Sequence, residues 1–138
     1  MAECPLRRSK PLLSIYVKES EIHGFGVYAS FPIKKGDVIE YCPFLSIEDD
    51  DVEATSVLQD YMFGTPFTND SRMIAPLGYA MLYNHSDDPN AEWCADENNE
   101  NLIVFVALKD IRKGTEITHD YGVEYWNSRE EEEKSNAA

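Results

Sequence analysis

The sequence predicts a single, mostly β domain, and three observations carry that prediction. Short segments rich in β-branched and aromatic residues recur along the chain, separated by Gly, Pro, Asn and Asp. One segment occurs twice: Ala29-Ser-Phe-Pro-Ile33-Lys-Lys35-Gly36-Asp-Val-Ile39 is echoed by Ala107-Leu-Lys-Asp-Ile111-Arg-Lys113-Gly114-Thr-Glu-Ile117. Helix signals are confined to two stretches. With 138 residues and 43% hydrophobic content, one core can bury roughly two-thirds of the unfolded surface.

The elements follow in chain order. Residues 1–11 are basic and Pro-punctuated, an arm outside a domain that spans residues 12–128. Leu13 to Val17, Gly26 to Ser30 and Val38 to Ile47 have strand composition. Val52 to Phe63 sets Val57, Leu58, Tyr61 and Met62 at helical spacing behind the candidate caps Asp49 to Asp51. Gly78 to Tyr83 predicts a second, short helix in the interior. Acidic Asp96 to Asn101 forms a hairpin loop before Leu102 to Leu108, the strongest strand pattern of the chain. Gly114 to Gly122 gives a last short strand ending at Tyr121, a ring expected to be buried with its hydroxyl partnered. Residues 129–138, with four consecutive Glu, form an acidic tail without regular structure. In each repeat a Lys-Gly turn, the glycine supplying positive φ, joins two strands into a hairpin, and the two hairpins pack face to face.

Composition removes several functions. A net charge of −14 argues against direct nucleic-acid binding, which needs Lys and Arg clusters, and favours basic partners; ordinary solvated acidic faces give the same number. Cys4, Cys42 and Cys94 are widely spaced without a Cys-x-x-Cys pair. They offer neither a disulfide framework nor a zinc site, and no metal is expected. No apolar run is long enough to span a membrane, so an intracellular protein is expected. Acyl transfer lacks its Gly-x-Ser-x-Gly or Cys/His signature.

Three local motifs carry chemistry. Gly24-Phe25-Gly26 suits a tight turn, or a backbone passing close to a ligand. Asn84-His85-Ser86-Asp87-Asp88-Pro89-Asn90 suits a capped turn, or an amide clamp on an ammonium, carboxylate or adenine edge. Tyr61, Tyr83, Tyr121, Tyr125 and Trp126 suit a core of amphipathic rings, or an aromatic cage around a cationic nitrogen.

Taken in order, these motifs resemble the SET-domain protein lysine methyltransferases, from about Leu13 to Arg129. Gly24 to Ala29 resembles the family's glycine motif, Asn84 to Asn90 its Asn-His-Ser motif, and Gly114 to Gly122 its final Glu-Ile…Asp-Tyr-Gly motif. Within the family the chain is similar to the minimal viral histone lysine methyltransferases and small bacterial SET proteins. The resemblance implies a SET-domain (β-clip) fold of several small sheets, one or two short helices and a knot-like C-terminal threading. It also implies S-adenosyl-L-methionine as methyl donor and a peptidyl lysine, in a basic protein or histone tail, as acceptor.

Carried over residue by residue, Gly24, Phe25 and Gly26 line the cofactor's methionine end. Asn84 and the backbone around His85 hold its amino group and adenine, and Trp126 covers the adenine. Tyr121 corresponds to the catalytic tyrosine and also faces the cofactor. Tyr61, Tyr83, His119 and Tyr125 line the substrate lysine channel. His119 stands where many relatives carry Phe or Tyr, the position that tunes methyl number, and a protonated His119 would cut activity at acidic pH. Thr115 replaces a usual Glu, although Glu116 is retained. The family's Cys-rich cap is missing. Two rivals are a SET-like module that binds a basic peptide without turnover and a methyltransferase for a non-histone protein. Small relatives pair, so a homodimer is compatible; a eukaryotic host implies the nucleus, any other the cytoplasm.

Overall fold

Short runs of β-branched, aromatic and other apolar residues shape most of the structured chain, and the computed structural model describes residues 14–48, 52, 57–64 and 73–122. Its strands are β1 (Ile15–Glu19), β2 (Phe25–Ala29), β3 (Val38–Ile47), β4 (Phe63–Gly64), β5 (Met73–Pro76), β6 (Asn84–His85), β7 (Ala91–Ala95), β8 (Leu102–Ala107) and β9 (Glu116–His119). They form a four-stranded sheet in the order β1-β2-β9-β6 and a five-stranded sheet in the order β4-β5-β3-β8-β7. Pairing is antiparallel except between β6 and β9, which run parallel with Asn84 opposite Thr118 and His85 opposite His119.

The core lies between the sheets. Val27 and Ile117, at 0% exposure, face Ile103 and Phe105, also at 0%, and each such side chain contributes about 1.5–3 kcal/mol on burial. The mostly β expectation holds, as do Val38 to Ile47 and nearly all of Leu102 to Leu108. The first strand lies two residues later than predicted, with Leu13 outside the described residues.

Among the described residues both predicted helices are 3-10 turns, at Val57–Tyr61 and Ala80–Leu82, while residues 53–56 of the first lie outside the described residues. In the first, Val57 and Leu58 are exposed, so their helical spacing has no core face behind it. The second is trimmed at both ends, by Gly78 at φ +75° and by Tyr83 in an extended conformation. Its Ala80 is nevertheless fully buried, as an interior element requires.

The repeat is real, but its copies are not hairpins. Strands flanking each Lys-Gly turn diverge into different sheets: β2 pairs with β9, and β3 with β8. The repeats thereby exchange strands, and reciprocal backbone bonds stitch them together. Gly36 N–H donates to Ala107 O (2.8 Å), Gly114 N–H to Ala29 O (2.8 Å), and Ile33 and Ile111 exchange both bonds (2.9 and 2.7 Å). Gly36 (φ +89°) and Gly114 (φ +83°) do supply the positive φ that each turn needs. The predicted threading, arm and tail fall outside the described residues.

Candidate active site

The four-stranded sheet brings the glycine motif, the Asn-His run and the final strand together. Asn84 on β6 is 6% exposed, and its Nδ2 donates to His23 O (3.0 Å), Phe25 O (3.3 Å) and Glu116 Oε2 (2.9 Å). All three partners can only accept, so the amide has one orientation: nitrogen inward, Oδ1 left over. Among the described residues, Oδ1 has no hydrogen-bond partner.

Glu116 is the hub of this corner. It accepts from Ser20 Oγ (2.7 and 2.9 Å), from Tyr28 OH (3.2 Å) and from Asn84. Burial and the Glu116 charge raise the Tyr28 pKa, so its hydroxyl stays protonated and donating. The carboxylate and the Asn84 amide crowd Gly26, where a Cβ would overlap Glu116 Oε2. Gly26 is thus glycine for lack of space, whereas Gly24, at φ +49° with nothing within 4 Å of its virtual Cβ, is glycine for its backbone conformation.

The second Asn of the run has its own task. Asn90 Nδ2 donates to Glu116 O (2.9 Å) and its Oδ1 accepts from Thr118 N–H (2.9 Å), so one side chain replaces a neighbouring strand along β9. Read from sequence as part of a turn, it is an edge clamp.

Tyr121, immediately beyond β9, is fixed twice. Its hydroxyl donates to Tyr83 O (2.9 Å) and its N–H donates to His85 Nδ1 (3.1 Å). Because Nδ1 accepts, the proton of neutral His85 sits on Nε2, which lies 2.7 Å from Asp87 Oδ1. The side chain of His85, and not only its backbone, therefore belongs to this arrangement. Gly122 (φ +91°) turns the chain away directly afterwards.

Of the residues expected along a lysine channel, Tyr83 and His119 meet edge to face at 6.4 Å, and His119 lies 4.9 Å from the Tyr121 ring. Tyr61 ends the first 3-10 turn and is 38% exposed. The Tyr83 ring is 1% exposed, stacked on Phe105 at 4.2 Å, and its hydroxyl donates to Glu40 Oε1; only its carbonyl meets Tyr121. His119 is 3% exposed among Phe63, Phe105 and Tyr121, and among the described residues both its ring nitrogens lack hydrogen-bond partners. Desolvation, helped by nearby His85 and opposed by Asp120, lowers its pKa to about 4. The ring is therefore neutral throughout the neutral range, and any loss of activity from protonated His119 would set in only toward pH 4. Tyr125 and Trp126 lie outside the described residues. Sequence reasoning passed over Glu40, Ser20 and Asn90, and used Glu116 only as a motif letter. The available signal was Glu40, a carboxylate between Ile39 and Tyr41 inside a strand pattern.

Comparison with known proteins adds an independent line. A family model described as the SET domain matches residues 24–122. A histone-lysine N-methyltransferase of Schizosaccharomyces pombe, described as H3 lysine-37 specific, is 29% identical over 80% of this chain and 74% of its own length. The Arabidopsis thaliana histone-lysine N-methyltransferase ATX2 is 32% identical over 75% of this chain, which spans only 10% of that much longer protein. The crystal structure of a Plasmodium falciparum protein, described as a candidate histone methyltransferase, superposes with a TM-score of 0.67 at 34% identity, covering 84% of this chain and 99% of that one.

Proposed function

This chain belongs to the SET-domain family of protein lysine N-methyltransferases, and from that premise we propose that it methylates a lysine of a basic histone tail, with S-adenosyl-L-methionine as donor. The observation that carries this reading is the pairing of two fixed groups on one small sheet: the locked Asn84 amide and the doubly held Tyr121.

The residues present suit the cofactor. An amino-acid moiety brings an ammonium that needs an acceptor, and Asn84 Oδ1 is an unspent acceptor on an amide that cannot flip. Gly24, Phe25 and Gly26 would hold the same end, with His85 and Trp126 at the adenine. When bound, the cofactor supplies an electrophilic methyl group on a sulfonium.

The chain's own residues then have three tasks. The acceptor amine must be neutral, while a free lysine has a pKa near 10.4, so the site has to disfavour the ammonium. Aromatic walls do so by desolvation, and water carries the proton off. Tyr121 orients the amine: its hydroxyl hydrogen is committed to Tyr83 O, so toward the amine its oxygen acts as an acceptor of N–H. Such alignment can supply about 7–11 kcal/mol of the barrier reduction. The acidic surface draws in a Lys- and Arg-rich tail. A histone substrate in turn implies work in the nucleus.

The test is radiolabel transfer from S-adenosyl-L-methionine to core histones, with mass spectrometry to locate the modified lysine. The Tyr121→Phe variant should lose on the order of 100-fold in kcat with cofactor affinity retained. Cofactor binding without label on any histone would overturn the reading, as would full activity of Tyr121→Phe.

A further inference from the structure

The catalytic reading of Tyr121 depends on where its hydroxyl points, and that hydroxyl is aimed by a carbonyl, Tyr83 O. What holds the Tyr83 carbonyl is visible on the other side of the residue. β3 bulges between Val38 and Glu40, a device that re-aims a side chain. From that bulge Glu40 Oε1 accepts from Tyr83 OH (2.9 Å), and Glu40 Oε2 accepts from Tyr79 N–H (2.9 Å). A Cβ at Gly78, which already needs φ +75°, would overlap Glu40 Oε2, so only glycine lets the carboxylate close on this turn.

The ring of Tyr83 is pinned on its face as well, stacked on Phe105 with 25° between planes. Ring and hydroxyl held together leave the Tyr83–Asn84 peptide little freedom. The same short segment carries Asn84 into its clamp with Glu116. The link crosses the molecule: Glu40 belongs to the five-stranded sheet, and Tyr121 follows the β9 strand of the four-stranded one.

We propose that Glu40 and Tyr83 are positioning residues for methyl transfer, a carboxylate–hydroxyl pair that sets the peptide carbonyl by which Tyr121 is aimed. This rests on the reading of Tyr121 as the residue that orients the amine. A tie made only for stability would lower the folded population and leave kcat per folded molecule unchanged. A positioning tie lowers kcat and spares KM, since neither residue is placed against substrate.

Tyr83→Phe keeps the stacked ring and removes one oxygen. Its kcat should fall about ten-fold, below the roughly 100-fold that a 1 Å misplacement can cost, with both KM values within about two-fold. In a Tyr121→Phe background the same change should cost nothing further in kcat, because the hydroxyl it aims is gone. Glu40→Ala should match Tyr83→Phe. Glu40→Gln should recover most of the loss, since an amide can take the Tyr79 N–H on its oxygen and donate its NH2 to the hydroxyl oxygen of Tyr83.

A second readout needs no turnover: the 13C ζ-carbon resonance of Tyr121 should shift in Tyr83→Phe and Glu40→Ala and return in Glu40→Gln. An unchanged kcat in Tyr83→Phe, or an equal loss in the Tyr121→Phe background, would overturn the proposal. If the wild type methylates no histone, the proposed function fails, and the resonance alone decides the pair: a shift that returns in Glu40→Gln supports it, and no shift overturns it.

Discussion

Adding one methyl group at Gly26 isolates the energetics of the corner formed by Gly26, Asn84 and Glu116. Gly26 has ordinary backbone dihedrals, so alanine there meets no conformational penalty; its cost is contact alone. The new Cβ would overlap Glu116 Oε2 and lie 2.9 Å from Glu116 Cδ and 3.2 Å from Asn84 Nδ2. Restoring ordinary contact moves the carboxylate by roughly 1 Å, since carbon pairs settle near 3.5–4.0 Å. That shift breaks its bonds from Ser20 (2.7 and 2.9 Å) or from Asn84 (2.9 Å). A hydrogen bond to a charged group is worth about 1.5–3 kcal/mol, and two at the lower end give a loss of about 3 kcal/mol. For a domain of this size that corresponds to a Tm lower by roughly 10 °C.

Gly24→Ala is the control. Its virtual Cβ meets nothing, so only the φ of +49° is penalised, at about 1 kcal/mol. Scanning calorimetry ranks the two variants, and titration with S-adenosylhomocysteine should show the larger affinity loss for Gly26→Ala, because Asn84 loses its orientation. The decisive arm is Gly26→Ala combined with Glu116→Ala: with the carboxylate gone, the added methyl should cost almost nothing. A Gly26→Ala protein melting within about 2 °C of wild type, or losing as much without Glu116 as with it, would refute the reasoning.

Three further outcomes are expected. His119 is neutral in the folded protein down to about pH 4, whereas unfolded it takes a proton below its ordinary 6.5, so the unfolded state binds more protons in that window and stability falls as pH drops through it. His119→Phe should remove that contribution, worth at most roughly 3 kcal/mol, and chemical denaturation at pH 5 and pH 8 compares the two proteins. Asn90→Ala removes both bonds to the β9 backbone and should cost about 2 kcal/mol, while Asn90→Asp, which keeps the acceptor for Thr118 N–H, should cost less by the same denaturation assay. Iodoacetamide should label exposed Cys94 well before Cys42, because Cys42 is fully buried and both burial and Glu40 push its thiol pKa up; peptide mass spectrometry of the folded protein reads the order.

Much of this was legible in the chain because strands announce themselves locally. Val38 to Ile47 emerged with its predicted bounds, and Gly36 and Gly114 could be named as positive-φ turns from the repeat alone. Pairing was not legible. A Lys-Gly turn between two strand patterns is the ordinary signal of a hairpin, and nothing in the neighbouring residues says that β2 will prefer β9 to β3. The site shows the same division. The residue types and their order pointed to Asn84 and Tyr121, but the partners that fix them lie far away in sequence: Glu116 is 32 positions from Asn84, and Ser20 is 96 from Glu116. Tyr83 and His119 were placed along the lysine channel by the family resemblance, and what the chain alone did not show is how deeply their side chains are buried, at 1% and 3% exposure. Helical spacing at Val57 and Leu58 misled because periodicity reports a face and not what lies behind it.

Strand exchange between the repeats explains why the site sits where it does. Each Lys-Gly turn is held by the other repeat, so the strands leaving the two turns, β3 and β9, are placed relative to each other by reciprocal backbone bonds and by Lys35 N–H donating to Asp110 Oδ1. Each of these strands carries one carboxylate: Glu40 on β3 and Glu116 on β9. The two share a geometry, since each crosses a glycine whose Cβ it would exclude, Gly78 for Glu40 and Gly26 for Glu116. Between them they grip the two ends of one segment, Glu40 at Tyr79 and Tyr83, Glu116 at Asn84. A segment held at both ends by strands that are themselves cross-tied cannot tilt without disturbing both sheets. Two side chains that the proposed function sets against different reactants, Asn84 and Tyr121, can therefore keep a fixed separation although no regular element of more than four residues carries either of them. Methyl transfer by alignment requires that property above any other, because the reacting groups bring their own reactivity and the protein supplies their mutual position.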